Sequence, residues 1–210
     1  MKVEKKTHEW LIRPGPGPHQ HEESIPLGVI VRDYLKLASN AREMKFILNN
    51  REVLVDGRVV KSKSFPVGLM DSVLLPKLKK GYRVEIDRKE RLTLRELSPD
   101  EAGSKLCKIM RKVTGAKGRI MLGLHDGKTV SGDKNYRVGD TVKLSLPANK
   151  IEKLHKLAAG ANCLVIKGKH AGKVAKLKEL RTVGNRKCEA HMEHDGGAFI
   201  TTKPYLFVVE

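Results

Sequence analysis

Val53-Leu54-Val55-Asp56-Gly57-Arg58-Val59-Val60 sets two β-branched runs on either side of an Asp-Gly pair. Both central residues tolerate positive φ, so this pattern dictates a tight antiparallel hairpin more firmly than any other short stretch of the chain. Similar punctuation recurs. Asp126-Gly127 turns between apolar stretches, Val138-Gly139-Asp140-Thr141-Val142 enters a strand, and Asp195-Gly196-Gly197 precedes Ala198–Thr202. Runs this short, broken this often, build small sheets and barrels rather than long helices. No internal repeat of fixed period orders them.

Helical spacing is concentrated before the first hairpin. Leu27, Ile30, Val31, Tyr34, Leu35 and Ala38 share one face, with Ser24 as the expected cap and Pro26 in the first turn. A second helix follows, with Asn40 and Glu43 placed as a capping box and Ala41, Met44, Ile47 and Leu48 as its apolar stripe. Upstream, Arg13-Pro14-Gly15-Pro16-Gly17-Pro18 allows neither helix nor central strand. It reads as an extended tail whose neighbours Trp10, His19 and His21 either pack on the body or a partner or stay solvated. Downstream come a strand near Val73–Leu75, a hairpin over 82–97, and a short helix start at Ser98-Pro99-Asp100-Glu101. Strands follow at Lys108–Val113, Arg119–Leu124, Thr129–Ser131, Cys163–Ile166, Lys173–Leu180, Lys187–Met192 and Leu206–Val209. The fold class is α+β and multidomain. An extended tail (1–26) leads to a helix-helix-hairpin domain (27–92), a central β-rich domain (93–157) and a five-stranded SH3-like barrel (158–210).

Lys and Arg number 42 against 24 Asp and Glu, a net charge of +18, far beyond what solubility requires. The excess is spread out, with 15 basic against 8 acidic side chains in residues 27–92, 12 against 6 in 93–150 and 11 against 6 in 151–210. A polyanion bound along much of the chain fits this distribution, and nucleic acid is the expected partner. Phe, Trp and Tyr together number nine, too few for a protein that stacks successive single-stranded bases. No apolar run approaches the roughly 18 residues of a membrane span, and MKVEKKTHEW lacks the apolar core of a signal peptide, so the expected setting is intracellular, without a membrane partner. Cys107, Cys163 and Cys188 are odd in number and far apart, which argues for reduced thiols.

Three groups of residues invite a chemical reading. Cys188, His191 and His194 have zinc-ligand residue types, but no fourth ligand is evident and positions three apart on a strand face opposite sides. His125-Asp126 and Asp100-Glu101 carry acid-base groups, yet a hairpin turn and a helix cap account for them. No Walker, Rossmann or nucleophile-elbow pattern is present, so no metal, cofactor, small-molecule substrate or enzymatic activity is expected. The third is the loop Lys167-Gly168-Lys169-His170-Ala171-Gly172-Lys173, which interrupts an apolar strand pair. Either its glycines bring backbone N–H groups close to a phosphate beside the lysine charges, or it is a tight turn with solvated lysines.

An apolar strand, Gly-Lys-x-x-Gly-Lys and a second strand over Asn162–Leu180 resembles the KOW motif of ribosomal proteins and transcription elongation factors. That resemblance implies nucleic-acid contact by Lys167, Gly168, Lys169, His170, Gly172 and Lys173. The segment Leu27–Leu75 is similar to the small RNA-binding domain named after bacterial ribosomal protein S-four. In that fold the basic helix faces and adjoining loop meet structured RNA. The likeness makes Arg32, Lys36, Arg42, Lys45, Arg51, Arg58, Lys61 and Lys63 candidates. In order, Pro-Gly-Pro-His (16–19), this domain, Phe-Pro-Val-Gly-Leu-Met-Asp (65–71), Lys-Leu-Cys-Lys (105–108), His-Asp (125–126) and the KOW segment resemble the small-subunit ribosomal S-four-e family of archaea and eukaryotes. The length and the lack of a eukaryotic C-terminal extension favour an archaeal member; the family typically carries an extra basic segment ahead of this tail, where the sequence given reads MKVEKKTHEW. The resemblance implies a cytoplasmic structural constituent of the small ribosomal subunit, with small-subunit rRNA and neighbouring ribosomal proteins as partners. The alternative is a free KOW-containing nucleic-acid-binding regulator.

Overall fold

The computed structural model describes residues 11–115, 118–182, 188–194 and 197–209. Trp10, Lys187 at the start of the third C-terminal strand and Asp195-Gly196 of the last turn lie outside them. The chain divides into two units. One takes the sequence up to Glu85 with Arg91–Lys105 and Ser145–Ala148; the other takes Ile86–Glu90, Leu106–Leu144 and the sequence from Asn149 onward.

In the first unit the proline-rich stretch lies on the body, where the Gly15 N–H donates to the Ser64 carbonyl at 2.7 Å. Strand β1 (Ser24–Pro26) pairs antiparallel with Pro66–Gly68 and sets Ile25 opposite Val67. Ser24 is therefore a strand residue and not the expected helix cap; Pro26 occupies the cap position with no side-chain cap bond. Helix α1 (Leu27–Val29) widens at once into a π-helical segment, Ile30–Tyr34. Lys36, at φ 51°, turns the chain away before Ala38, where the apolar spacing predicted the helix to run. Helix α2 (Ala41–Asn49) forms as expected. The Asp-Gly hairpin joins β2 (Leu54–Val55) to β3 (Arg58–Val59), with φ 50° at Asp56 and 74° at Gly57.

The strand at Pro66–Gly68 is β4, followed by β5 (Ser72–Leu75), β6 (Lys80–Ile86) and β7 (Leu92–Glu96). The main sheet of this unit has the order β3-β2-β5-β6-β7. Leu27, Ile30, Met44 and Leu48 are essentially inaccessible and join Val55, Val73 and Val84 in one core. Each such burial stabilises by about 1.5–3 kcal/mol.

Beneath this apolar core lies a buried ionic one. The Lys105 ammonium, 1% exposed, donates to Asp56 Oδ2 at 2.7 Å and to Asp71 Oδ1 at 2.5 Å. Asp71 Oδ2 also lies 2.9 Å from His19 Nε2 and accepts the Gly68 N–H at 2.9 Å. Asp56 Oδ1 accepts the Ser72 N–H at 3.1 Å. Burial pushes the Asp71 carboxyl up, but the Lys105 ammonium and the His19 ring outweigh it and hold the group well below the usual carboxylate range. Gly68 makes room for this arrangement, since a Cβ there would sit 2.4 Å from the His19 ring.

The second unit contains two further sheets. Strands β8 (Ser104–Thr114), β9 (Ile120–Leu124), β10 (Thr129–Gly132), β11 (Thr141–Ser145) and β12 (Ile151–His155) take the order β10-β9-β8-β11-β12, with β8 starting in the first unit. Their core holds Cys107, Ile109, Leu122, Leu124, Val142 and Leu144. Strands β13 (Asn162–Val165), β14 (Val174–Arg181), β15 (Glu189–His194), β16 (Gly197–Thr202) and β17 (Leu206–Val208) take the order β16-β15-β14-β13-β17. Cys163, Val165, Leu177, Met192, Leu206 and Val208 fill that core.

Lys105→Met leaves two buried carboxylates without their ammonium, and losing one partner of a buried ionic group costs about 3–5 kcal/mol. Urea unfolding of the full chain should show a loss of that order, whereas a loss below about 1 kcal/mol would contradict a structural role for the ammonium.

Candidate nucleic-acid interface

Helix α2 is built to turn its cations outward. Asn40 Oδ1 caps its first turn by accepting the N–H groups of Arg42 at 3.0 Å and Glu43 at 2.9 Å. Glu43 reaches back one residue beyond the expected capping-box partner, accepting the Ser39 N–H at 2.8 Å and the Ser39 hydroxyl at 2.7 Å. Those bonds from Ser39 lower the Glu43 pKa and keep its negative charge at the helix N-terminus. Met44 and Leu48 face the core, while Arg42 and Lys45 are exposed.

The remaining candidates of this unit are placed differently from one another. Arg32 is half-buried and donates twice to its neighbour Asp33, at 2.6 and 3.0 Å, so its charge is compensated in place. Lys36 and Arg51 are exposed just beyond helical segments, both at positive φ, 51° and 60°. A cation in that position complements the negative end of a helix dipole as well as facing solvent. Arg58 on β3 and Lys61 and Lys63 in the following loop are exposed too.

In the second unit the loop between β13 and β14 gathers all its candidates within seven residues. Lys167, Gly168 and Lys169 are exposed, while His170, Gly172 and Lys173 are partly buried. The Gly168 N–H donates to Glu90 Oε1 at 2.6 Å. The Gly172 N–H donates to the Val165 carbonyl at 2.8 Å, and the Ala171 N–H to the Gly168 carbonyl at 2.9 Å. Gly172 has φ 73°, and a Cβ there would fall 2.7 Å from the backbone of Asp87 and Arg88. The Glu90 carboxylate therefore holds the Gly168 amide, one of those offered to a phosphate in the first of the two readings of this loop, and Gly172 admits the 86–90 turn. Outward-facing charge in the loop resides on the lysine side chains. The His170 ring stacks on Phe199 with centroids 4.2 Å apart; burial, then Lys173 and Lys169, lower its pKa.

Of the acid-base residues, the Asp100 side chain lies outside the described residues, and the other three have structural partners. Asp126 accepts the Lys128 N–H at 3.2 Å and pairs with the Lys128 ammonium at 3.2 Å. His125 Nδ1 accepts the Lys108 N–H at 3.3 Å, and its ring meets Phe207 edge-on. Glu101 pairs with Arg95 at 3.2 Å. Among the described residues, no three His, Cys, Asp or Glu side chains gather in a way that could hold a metal ion. The Lys108 ammonium is buried and donates to the Pro204 carbonyl at 2.7 Å; burial brings its pKa down to about 8.

Sequence reasoning missed the roles of His19, Asp56, Asp71, Lys105 and Lys108. Their signal was a charged or ring-nitrogen residue set inside an otherwise apolar or tightly turning stretch, as Asp71 is between Met70 and Ser72-Val73.

Because the folded pKa of Lys108 lies below the ordinary 10.5, the unfolded chain binds more protons between the two values. Its contribution makes stability rise with pH from about 8 to about 10.5. Unfolding free energies measured across that window should slope upward less in Lys108→Met than in the parent, and equal slopes would contradict the burial penalty.

Comparison with known proteins places the chain. The family described as Ribosomal family S4e matches over residues 78–151. The small ribosomal subunit protein eS4 of Methanothermobacter thermautotrophicus is 44% identical over 209 residues, covering 99% of this chain and 86% of that one. Its counterpart in Methanosphaera stadtmanae is 41% identical over 208 residues, with the same two coverages, 99% and 86%. The crystal structure of the 30S ribosomal protein S4e from Thermoplasma acidophilum matches with a TM-score of 0.77 and 33% identity, over 89% of this chain and 95% of that one. With identity sustained across nearly its whole length, this chain belongs to the ribosomal S4e family.

Proposed function

We propose that the chain is a structural constituent of the small ribosomal subunit, located with it in the cytoplasm, where it binds folded rRNA and neighbouring ribosomal proteins in support of translation. The observation that carries this reading is the 44% identity to a small-subunit protein over 99% of the chain. Proteins of this kind are structural rather than catalytic. The mechanism is electrostatic. Exposed cations on α2, on the β3 strand and its following loop, and on the 167–173 loop bind phosphates of folded rRNA and release the counterions condensed there. In this reading residues 27–92 act as the S-four-type RNA-binding domain, 93–157 as the central domain and 158–210 as the KOW-type SH3-like barrel.

Sedimentation of subunits through a high-salt sucrose cushion tests the assignment, since a structural component stays with the small subunit. Recovery only in ribosome-free fractions would contradict it. Charge reversal of Lys167, Lys169 and Lys173 should weaken association and flatten its salt dependence by about 0.7–0.9 in log–log slope for each phosphate that is no longer neutralised. The unfolding transition should stay where it is.

A further inference from the structure

Phe46 is the one exposed residue among the eight Phe and Tyr side chains of the described residues; its exposure is 66%. The others are buried or half-buried, several of them against the cores already described. A lone exposed aliphatic side chain would need no explanation. An aromatic ring differs, because its face is a platform on which any nucleobase can stack.

The surroundings of Phe46 favour that use. At 3.6 residues per turn, Arg42, Lys45, Phe46 and Asn49 fall within one arc of about 100° on the outward side of α2. All four are exposed. Glu43, three residues before Phe46 and also exposed, has its carboxylate held by the Ser39 N–H and hydroxyl at 2.8 and 2.7 Å, so Arg42 and Lys45 supply the arc's positive charge. Met44 and Leu48 anchor the opposite face in the core, so the ring is carried on a fixed element.

We infer that Phe46 is a stacking platform for an unpaired base of the bound RNA, with the phosphates flanking that base held by Arg42 and Lys45. Charge complementarity selects the occupant: an apolar ring on an arc that also carries Arg42 and Lys45, with the neighbouring Glu43 carboxylate engaged by Ser39, suits a base on a polyanionic strand better than an apolar protein surface. This rests on the rRNA-binding function proposed above and deepens it. One nucleotide is read by its π-face within a grip that otherwise recognises backbone and shape.

The test compares the full chain with Phe46→Ala and Lys45→Ala, binding an in vitro transcript of archaeal small-subunit rRNA across a salt series. Phe46→Ala should weaken binding about fivefold to a hundredfold with an unchanged salt slope, because stacking is removed and no charge is. Lys45→Ala should instead reduce the slope by about 0.7–0.9. A second readout uses Phe46→Trp in a Trp10→Phe background. The indole emission should be quenched by the transcript and unaffected by a fully paired RNA duplex. Parent-like affinity of Phe46→Ala, or an unquenched indole, would overturn the platform. So would intact RNA binding combined with loss of a neighbouring ribosomal protein from the assembled subunit, since the ring would then face protein. A parent chain that fails to bind the transcript would overturn the rRNA reading itself.

Discussion

An ammonium held out of water between two carboxylates is tolerable only while all partners are in place, and the first unit is organised around one. Lys105 meets Asp56, 49 residues away in sequence, and Asp71, 34 residues away. Asp71 meets His19 across 52 residues. The group therefore fixes where the proline-rich tail, the Asp-Gly hairpin, the turn before β5 and the start of β8 stand relative to one another. An apolar core is forgiving about register, because one methyl group replaces another. A buried ion that misses its partner is not, and that intolerance gives the unit a single arrangement.

The same fact divides the large positive charge into two populations. Lys105 and Lys108 point inward, and Arg83 donates at 2.9 and 2.8 Å to the carbonyls of Glu101 and Ser104. Arg32 is compensated by Asp33. These cations hold the fold and add little to the surface field. Among the candidates, Lys36, Arg42, Lys45, Arg51, Arg58, Lys61, Lys63, Lys167 and Lys169 are exposed, where an external polyanion can reach them. Net charge by itself overstates what faces a partner. Even the glycine loop follows this division, with Glu90 holding the backbone amide and lysine side chains left outside.

What was legible in the sequence was local. The hairpin at Asp56-Gly57 and the cap at Asn40 depend on neighbours within a few residues, and both formed as their residue types dictate. Ser24 carried an equally local cap signal and does not act on it, because pairing of Ile25 with Val67 drew the segment into a strand. The first helical segment ends at Tyr34, two residues before Lys36 takes a left-handed φ of 51°, a backbone turn that its apolar spacing does not record. The pairing of the buried ions was not legible because their partners lie dozens of residues away. The motifs that revealed the family, Pro-Gly-Pro-His, Phe-Pro-Val-Gly-Leu-Met-Asp and Lys-Leu-Cys-Lys, supply His19, Asp71 and Lys105 to that interior group. In the candidate interface, the cations could be named from sequence, and the apolar stripe of α2 leaves Phe46 off its buried face, but the compensation of Arg32 by Asp33 was not read from it.

Amine-reactive footprinting of every lysine, read by mass spectrometry with and without small-subunit rRNA, tests this division of charge directly. Lys105 should be unreactive in both states, while Lys45, Lys61, Lys63, Lys167 and Lys169 should react in the free chain and be protected in the complex. Labelling of Lys105 in the folded chain, or exposed lysines that stay equally reactive when rRNA is bound, would contradict the account.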